Sequence, residues 1–316
     1  MENSPQPGHR GRGRNRGGVV RRLDRDRPRG RAEPHALPHP GRSPLASRAA
    51  RIALFAAAVA IGGCAYLSEK QGDLIFHPSR ENWRGFSESD YAFRDHWVTV
   101  SADQKLHAWY LPNDDANAPV VLYFHGAGWN LTGSVTRIDR WRKLGFSVLA
   151  IDYRGFGRSA ALAPTETSAY EDAEAAWAYL GHLAPGRKRF IVGHSLGGAI
   201  AAELALRHPE ASGLVLEATF TSVRDMAEQS AWGFLPVALI LTQKFDTLAK
   251  IGQLKVPVLL THGTRDTIVP VEMSRRLYEA AHAPKKLVIV EGAGHHNLSG
   301  AGFEAYRAAI AELFER

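Results

Sequence analysis

The five residues GHSLG at positions 193–197 decide how the rest of this sequence is interpreted. They follow a β-prone run at residues 189–192 and precede an amphipathic stretch, residues 198–207, that is predicted to form a helix. A sharp turn from a strand into a helix holds a serine hydroxyl exposed, and flanking glycines permit that turn. We therefore predict that Ser195 is a nucleophile. The N–H of Leu196, at the start of the helix, should face the negative charge that develops during its attack.

Two later segments supply the partners that a serine nucleophile needs. Apolar runs at residues 256–260 and 287–290 are typical of buried strands, and the loops after them contain Asp266 and His295. The carboxyl ends of parallel strands meet at one edge of a sheet, so these groups can converge on the serine. We expect His295 to act as the general base and Asp266 to fix its tautomer. His296 is the alternative base, because adjacent side chains cannot both face the serine.

A third loop at the same edge carries the sequence HGAG at residues 125–128, directly after the apolar run 120–124. A glycine-rich turn can aim a backbone N–H at a reacting carbonyl oxygen. We expect the N–H groups of Ala127 and Leu196 to form an oxyanion hole, with His125 bracing the loop. A plain turn between a strand and a helix is the other interpretation.

Short apolar runs alternate along the chain with amphipathic stretches. Runs that are apolar on both faces are typical of parallel strands between layers of helices, and the alternation predicts an α/β fold with a doubly wound, mostly parallel sheet. Residues 92–110 are predicted to form a β-hairpin. The interval between residues 216 and 256 is too long for one crossover helix, so we expect a small helical cap at about 219–253, which either lines an acyl pocket or is ordinary core. The other predicted strands are 147–151, 190–192 and 214–216, and the predicted helices are 136–144, 167–180, 198–207, 273–282 and 303–314.

Taken together, HGAG, DYRGFGRS at 152–159, GHSLGG, THGTRDTIVP at 261–270 and GAGHHN at 292–297 resemble the α/β hydrolase superfamily. They are particularly similar to its Bem46-like and serine-aminopeptidase-like hydrolases, from about residue 90 to 316. The resemblance implies Ser195, Asp266 and His295 as a catalytic triad, with Ala127 and Leu196 as oxyanion donors. Relatives often carry Asn where Ala127 stands, but the main-chain donor is unaffected by that difference.

The charge distribution argues against nucleic-acid binding. The net charge of +7 arises at the amino-terminal end, where residues 1–51 contain 13 Arg and 4 acidic groups. The remaining residues contain 26 basic and 28 acidic groups, so the body of the protein is close to neutral. The only support for a nucleic-acid-binding arm is the composition of residues 1–47, and we expect no nucleic-acid partner. One cysteine in the whole chain excludes an internal disulfide.

The amino-terminal region has the features of a targeting segment. Residues 1–47 are rich in Arg, Gly and Pro and are predicted to be disordered, or to lie before a later translation start, for example at Leu45. The sixteen uncharged residues from Ile52 would form a helix of roughly 24 Å, which is shorter than the hydrocarbon core of a bilayer. Residues 48–67 are therefore predicted to be a signal peptide or signal anchor, with a basic start followed by an apolar stretch. Cys64 stands in a lipobox-like context and is a candidate lipidation site; an inert thiol in an uncleaved anchor is the alternative.

These observations lead to one expected function and its rivals. We expect residues 68–316 to form a serine hydrolase that cleaves a carboxylic ester or thioester of a small or lipid-like acyl substrate. It would be membrane-attached and periplasm-facing in a bacterial cell envelope. An aminopeptidase-like serine peptidase and a non-catalytic envelope binding lipoprotein are the alternatives. No G-x-x-x-x-G-K-[ST] or H-E-x-x-H pattern is present, so we expect neither a cofactor nor a metal.

Overall fold

The structure, a computed structural model, describes residues 44–229 and 241–315. The chain divides into two units, Met1–Leu54 and Phe55–Arg316. Of the first unit only residues 44–54 are described, so the predicted disordered leader lies almost entirely outside the described residues. All strands that the structure describes belong to the second unit.

The described strands form one eight-stranded sheet. They are β1 Arg94–Thr99, β2 Lys105–Leu111, β3 Val120–Phe124, β4 Ser147–Ile151, β5 Arg189–His194, β6 Gly213–Glu217, β7 Val258–Gly263 and β8 Lys285–Val290. Their order is β1-β2-β4-β3-β5-β6-β7-β8. The predicted hairpin forms the antiparallel pair β1 and β2, β2 is antiparallel to β4, and all later neighbours are parallel. The predicted mostly parallel α/β sheet is therefore confirmed.

Helices precede, connect and follow the strands along the chain. They are α1 Pro44–Phe76, α2 Leu131–Lys143, α3 Glu166–Leu183, α4 Leu196–Arg207, α5 Val223–Glu228, α6 Thr247–Ile251, α7 Val271–Ala280, α8 Leu298–Ala301 and α9 Phe303–Leu313. Two buried clusters fill the space on the two faces of the sheet, one around Leu122 and Leu260 and the other around Val121 and Leu259. Neighbouring residues of one strand thus enter opposite layers, as the two-sided apolar runs require.

Helix α2 begins five residues before the predicted start at residue 136. Asn130 caps the helix, because its side-chain oxygen accepts a hydrogen bond from the N–H of Thr132 at 3.0 Å. A cap of this kind satisfies one of the free N–H groups of the first turn. The early start keeps the loop after β3 short and places the first turn of α2 directly behind HGAG. Strand β7 begins two residues later than predicted, beyond Pro257, which has no N–H to donate to the sheet.

The predicted cap is only partly described, because residues 230–240 lie outside the described ranges. On either side of that gap the chain forms the short helices α5 and α6. Ser222 caps α5 and Asp246 caps α6, each accepting a hydrogen bond from a first-turn N–H. The expectation that the cap lines an acyl pocket stays a prediction.

Helix α1 includes the predicted targeting segment and continues to Phe76. Its last residue is fully buried against the rings of Tyr153, Phe156 and Phe245. The carbonyl oxygen of Phe76 accepts a hydrogen bond from the N–H of Gly128 at 2.8 Å, so the helix touches the HGAG loop. Within residues 44–229 and 241–315, no helix combines the length and the apolar character needed to span a bilayer.

Candidate active site

Ser195 stands at the turn from β5 into α4, with φ +54° and ψ −119°. Such backbone is strained by roughly 1–3 kcal/mol in a non-glycine residue and is concentrated at functional sites. The flanking glycines are needed sterically: a Cβ on Gly193 would overlap the carbonyl of Gly197, and one on Gly197 would overlap the carbonyl of Phe124. The turn therefore presents the serine at the positive end of α4.

Asp266 and His295 meet at the edge of the sheet where β7 and β8 end. His295 Nδ1 donates to Asp266 Oδ2 over 2.7 Å. The other carboxylate oxygen, Oδ1, accepts the N–H groups of Ile268 and Val269 at 2.9 and 2.8 Å. A second imidazole, that of His262, lies 3.1 Å from Asp266 Oδ2 through its Nε2. The carboxylate is thus held on both oxygens and directs one of them at His295.

Electrostatics keep Asp266 ionised. Burial alone would raise the pKa of Asp266, but hydrogen bonds from His262 and His295 outweigh it and hold the pKa well below the usual range. A carboxylate beside Nδ1 fixes the tautomer in which Nδ1 carries the proton and Nε2 is free to accept one.

Ser195 and His295 line the same small cavity, together with Gly126, Ala127 and Trp129. Both polar side chains are largely buried, at 9% and 6% exposure. In the part of the chain that the structure describes, no hydrogen bond joins the serine hydroxyl to His295. Contacts of this kind are commonly long without substrate and tighten when it binds. The structure therefore joins Asp266 to His295 directly and brings Ser195 to the same cavity.

The HGAG loop approaches the serine from β3. A Cβ added to Gly126 would lie 3.2 Å from that of Ser195, so the loop backbone runs close beside Ser195. Among the described residues, the N–H groups of Ala127 and Leu196 donate to no other protein group. His125 is fully buried and its Nδ1 lies 2.8 Å from the carbonyl oxygen of Gly126, which fits a bracing role.

Comparisons with known proteins agree with this architecture. The sequence matches the family described as "Serine aminopeptidase, S33" over residues 115–249 and 239–300. It is 33% identical over 255 residues to an uncharacterised protein of Mycobacterium tuberculosis, covering 79% of this chain and 89% of that protein. It is 29% identical over 218 residues to the lysophosphatidylserine lipase ABHD12 of Danio rerio, covering 60% of this chain and 56% of that protein. An esterase of Pyrococcus furiosus has the same fold, with a TM-score of 0.61 at 21% identity over 76% of this chain and 97% of its own.

The chain belongs to the serine aminopeptidase S33 family of α/β hydrolases. In this α/β hydrolase, the sheet order and the strand-end positions of the candidate residues follow from the same doubly wound topology. Membership of this family supports hydrolase activity but does not identify the bond that is cleaved.

His296, the alternative base, lies in a different environment from His295. Its ring stacks on that of Trp129, with centroids 4.7 Å apart and planes 11° apart, and Trp129 stacks in turn on Trp83. Burial, and then the neighbouring His295 and Arg137, lower the pKa of His296. Among the described residues no carboxylate contacts this ring, so it lacks the partner that fixes the tautomer of His295.

A buried polar cluster that sequence reasoning missed borders the cavity. Arg137 of α2 donates from Nη2 to the carbonyl oxygens of His295 and His296, and its Nε lies 3.5 Å from Oε2 of Glu217. Glu217 could have been found from the sequence, because it is an acidic residue directly after the apolar run 214–216, at the same sheet edge. His262 could also have been found, because it lies two residues after an apolar strand. Arg137 could not, because packing decides which side of α2 faces the loop.

Proposed function

We propose that this α/β hydrolase is a serine hydrolase that cleaves a carboxylic ester or thioester through an acyl-enzyme intermediate. Ser195 is the nucleophile, His295 the general base and Asp266 the residue that orients it. The observation that carries the proposal is the 2.7 Å contact between His295 Nδ1 and Asp266 Oδ2 beside a serine with φ +54°. A carboxylate-bound imidazole and a strained serine that lines the same cavity are what acyl transfer requires.

The steps follow from the positions of the groups. Ser195 attacks the substrate carbonyl while His295 Nε2 takes the hydroxyl proton, and Asp266 stabilises the imidazolium that forms. The N–H groups of Ala127 and Leu196 receive the developing oxyanion. His295 returns the proton to the leaving alcohol or thiol, and a water molecule, activated by the same base, then releases the acid.

A fluorophosphonate probe tests the nucleophile. We expect the full-length protein to be labelled on Ser195, Ser195→Ala to lose both labelling and hydrolysis of p-nitrophenyl esters, and Ser212→Ala to retain both. Ser212 is the matched control because it lies just before β6, where its N–H bonds the Arg189 carbonyl at 2.7 Å, away from the cavity. Unlabelled but folded wild-type protein would contradict the proposal.

An ester is favoured over a peptide by the lining of the cavity. A peptidase that releases amino-terminal residues needs acidic groups to hold the substrate amine, whereas none of the described residues that line the cavity is acidic. The lipase activity in the name of the Danio rerio relative also favours an acyl ester. A panel of p-nitrophenyl esters, acyl thioesters and amino-acid p-nitroanilides distinguishes an esterase or thioesterase from a peptidase. Inactivity on all of them would favour the non-catalytic binding lipoprotein.

We also propose that the protein is attached to the envelope membrane through the amino-terminal part of the chain. Ile52, Phe55 and Tyr66 on α1 are more than half exposed, and Arg48 and Arg51 precede them. An apolar helix with a basic start suits a lipid surface. The Cys64 side chain lies outside the described side chains, so lipidation at Cys64 is tested by palmitate labelling of the wild type and of Cys64→Ser. Recovery of unlabelled wild type in the soluble fraction would contradict the attachment.

A further inference from the structure

Arg137 contacts the loop that carries the proposed base. Its Nη2 lies 3.3 Å from the carbonyl oxygen of His295 and 3.0 Å from that of His296. The residue is only 3% exposed, so its charge is held inside the protein, behind the loop. One nitrogen of Arg137 thus donates hydrogen bonds to two consecutive carbonyl oxygens. A guanidinium is suited to this because its N–H groups are fixed in one plane.

Glu217 holds the other side of the guanidinium. It is fully buried at the end of β6, its Oε2 lies 3.5 Å from Arg137 Nε, and its Oε1 accepts a hydrogen bond from Trp141 Nε1 at 3.3 Å. In the described ranges neither Arg137 Nε nor Glu217 Oε2 makes a well-aligned hydrogen bond. The pair is therefore held mainly by the attraction of its charges, while the two carbonyls fix the direction of Nη2.

The same glutamate also supports the nucleophile. Its carbonyl oxygen accepts the N–H of Ser195 at 2.8 Å. Glu217 therefore touches the turn of the nucleophile with its main chain and, through Arg137, the loop of the base with its side chain. That loop contains Gly292 and Gly294 and has little intrinsic stiffness.

The energetics of buried ion pairs point away from a purely stabilising role. Removing two charges from water is costly, and apolar residues of similar volume often stabilise a core as well or better. What the pair supplies that apolar side chains cannot is a directed link between two catalytic loops. A misplacement of about 1 Å between reacting groups can lower a rate by roughly 10²-fold.

We propose that Arg137, anchored by Glu217, is a positioning residue that fixes the His295 loop relative to Ser195. The proposal rests on the serine hydrolase function above. Arg137 borders the cavity, but it is only 3% exposed and its Nη2 is bonded to the two carbonyls, so we expect the pair to act on the chemical step more than on substrate binding.

The decisive experiment separates positioning from folding with two variants. In Arg137→Met/Glu217→Met both charges are replaced together, so no unpaired charge is left buried, and the Glu217 carbonyl remains. We expect this variant to melt near the wild-type temperature but to show kcat for p-nitrophenyl butyrate lowered about 10- to 100-fold, with KM within about 2-fold. Arg137→Lys keeps the charge but loses the planar fork, and should lower kcat by about 10-fold.

Arg142→Met is the matched control, because it lies on the same helix and pairs with Asp139 at the surface. We expect its kcat and KM to equal those of the wild type. Wild-type kcat in both the double variant and Arg137→Lys would overturn the proposal, as would a raised KM at unchanged kcat. A double variant that does not fold leaves the decision to Arg137→Lys. If Ser195→Ala retains hydrolysis, the proposed function fails; if it is inactive and the Arg137 variants are fully active, only the positioning proposal fails.

Discussion

Replacing Asp266 with Asn tests the acid and base geometry most sharply. Oδ1 of Asp266 accepts two backbone N–H groups, from Ile268 and Val269. To keep them, the Asn side chain must turn its carbonyl oxygen to the backbone, which leaves its NH₂ group facing His295 Nδ1. Since that nitrogen must then accept a hydrogen bond, the proton moves to Nε2, and His295 can no longer take the proton of Ser195.

The size of the effect follows from the lost charge. Asp266 and His295 are at most 5% exposed at their side chains. Two charges about 4 Å apart interact by about 4 kcal/mol at an effective dielectric constant of about 20. Since about 1.4 kcal/mol corresponds to a tenfold change in rate, the loss amounts to roughly 10³-fold in kcat. We expect KM to change little, because the attraction develops only as the imidazolium forms.

Steady-state hydrolysis of p-nitrophenyl acetate by Asp266→Asn, with the concentration of active serine titrated by the fluorophosphonate, measures this loss. Asp139→Asn is the control, since Asp139 pairs with Lys143 on the outer side of α2. A folded Asp266→Asn enzyme with kcat within about 5-fold of the wild type would refute the assigned orienting role.

Three further predictions follow from the same site. First, hydrogen bonds from His262 and His295 outweigh burial and lower the pKa of Asp266, so its carboxylate stabilises the folded state above the unfolded pKa of about 3.9, and this contribution is lost as the pH falls further. The difference in melting temperature between wild type and Asp266→Asn should therefore narrow below about pH 4, and a constant difference down to pH ~2 would contradict it. Second, His295→Ala should lose at least about 10³-fold in kcat and His296→Ala less than about 10-fold, and the reverse order would exchange their roles. Third, Ala127→Asn should keep nearly full activity because the main-chain donor remains, whereas Ala127→Pro, which lacks the N–H, should lose about 10²-fold or more in fluorophosphonate labelling rate at unchanged melting temperature.

The sheet could be predicted because its strands are apolar on both faces. Val120–Phe124 is buried at every position, and a run of this kind has few other places in a folded chain. The approach of Asp266 to His295 could be anticipated for a related reason: both follow strands that run in the same direction, so both loops emerge at one edge. In both cases the local sequence pattern and the topology of a parallel sheet predict the same arrangement.

The polar cluster of Arg137 and Glu217 could not be predicted in this way. Helix α2 places its arginines on different sides, and only the packing of the helix against the sheet decides that Arg137 is buried while Arg142 is not. The contact of His262 with Asp266 depends likewise on the path of a loop. Helix α1 continues past the expected boundary at residue 68 to Phe76, whose side chain is buried between aromatic rings, and the boundary itself stays a prediction.

The bond between the Phe76 carbonyl and the Gly128 N–H has a practical consequence for preparing the enzyme. One simple way to shorten the chain is to begin it just ahead of β1. Here such a cut would take away the acceptor for a peptide unit adjacent to Ala127 and empty the space between Tyr153 and Phe245. The turnover rate measured on that shortened protein would be the rate of an enzyme whose HGAG loop is held less firmly. The residue at which the protein is made to begin would therefore affect the measured rate.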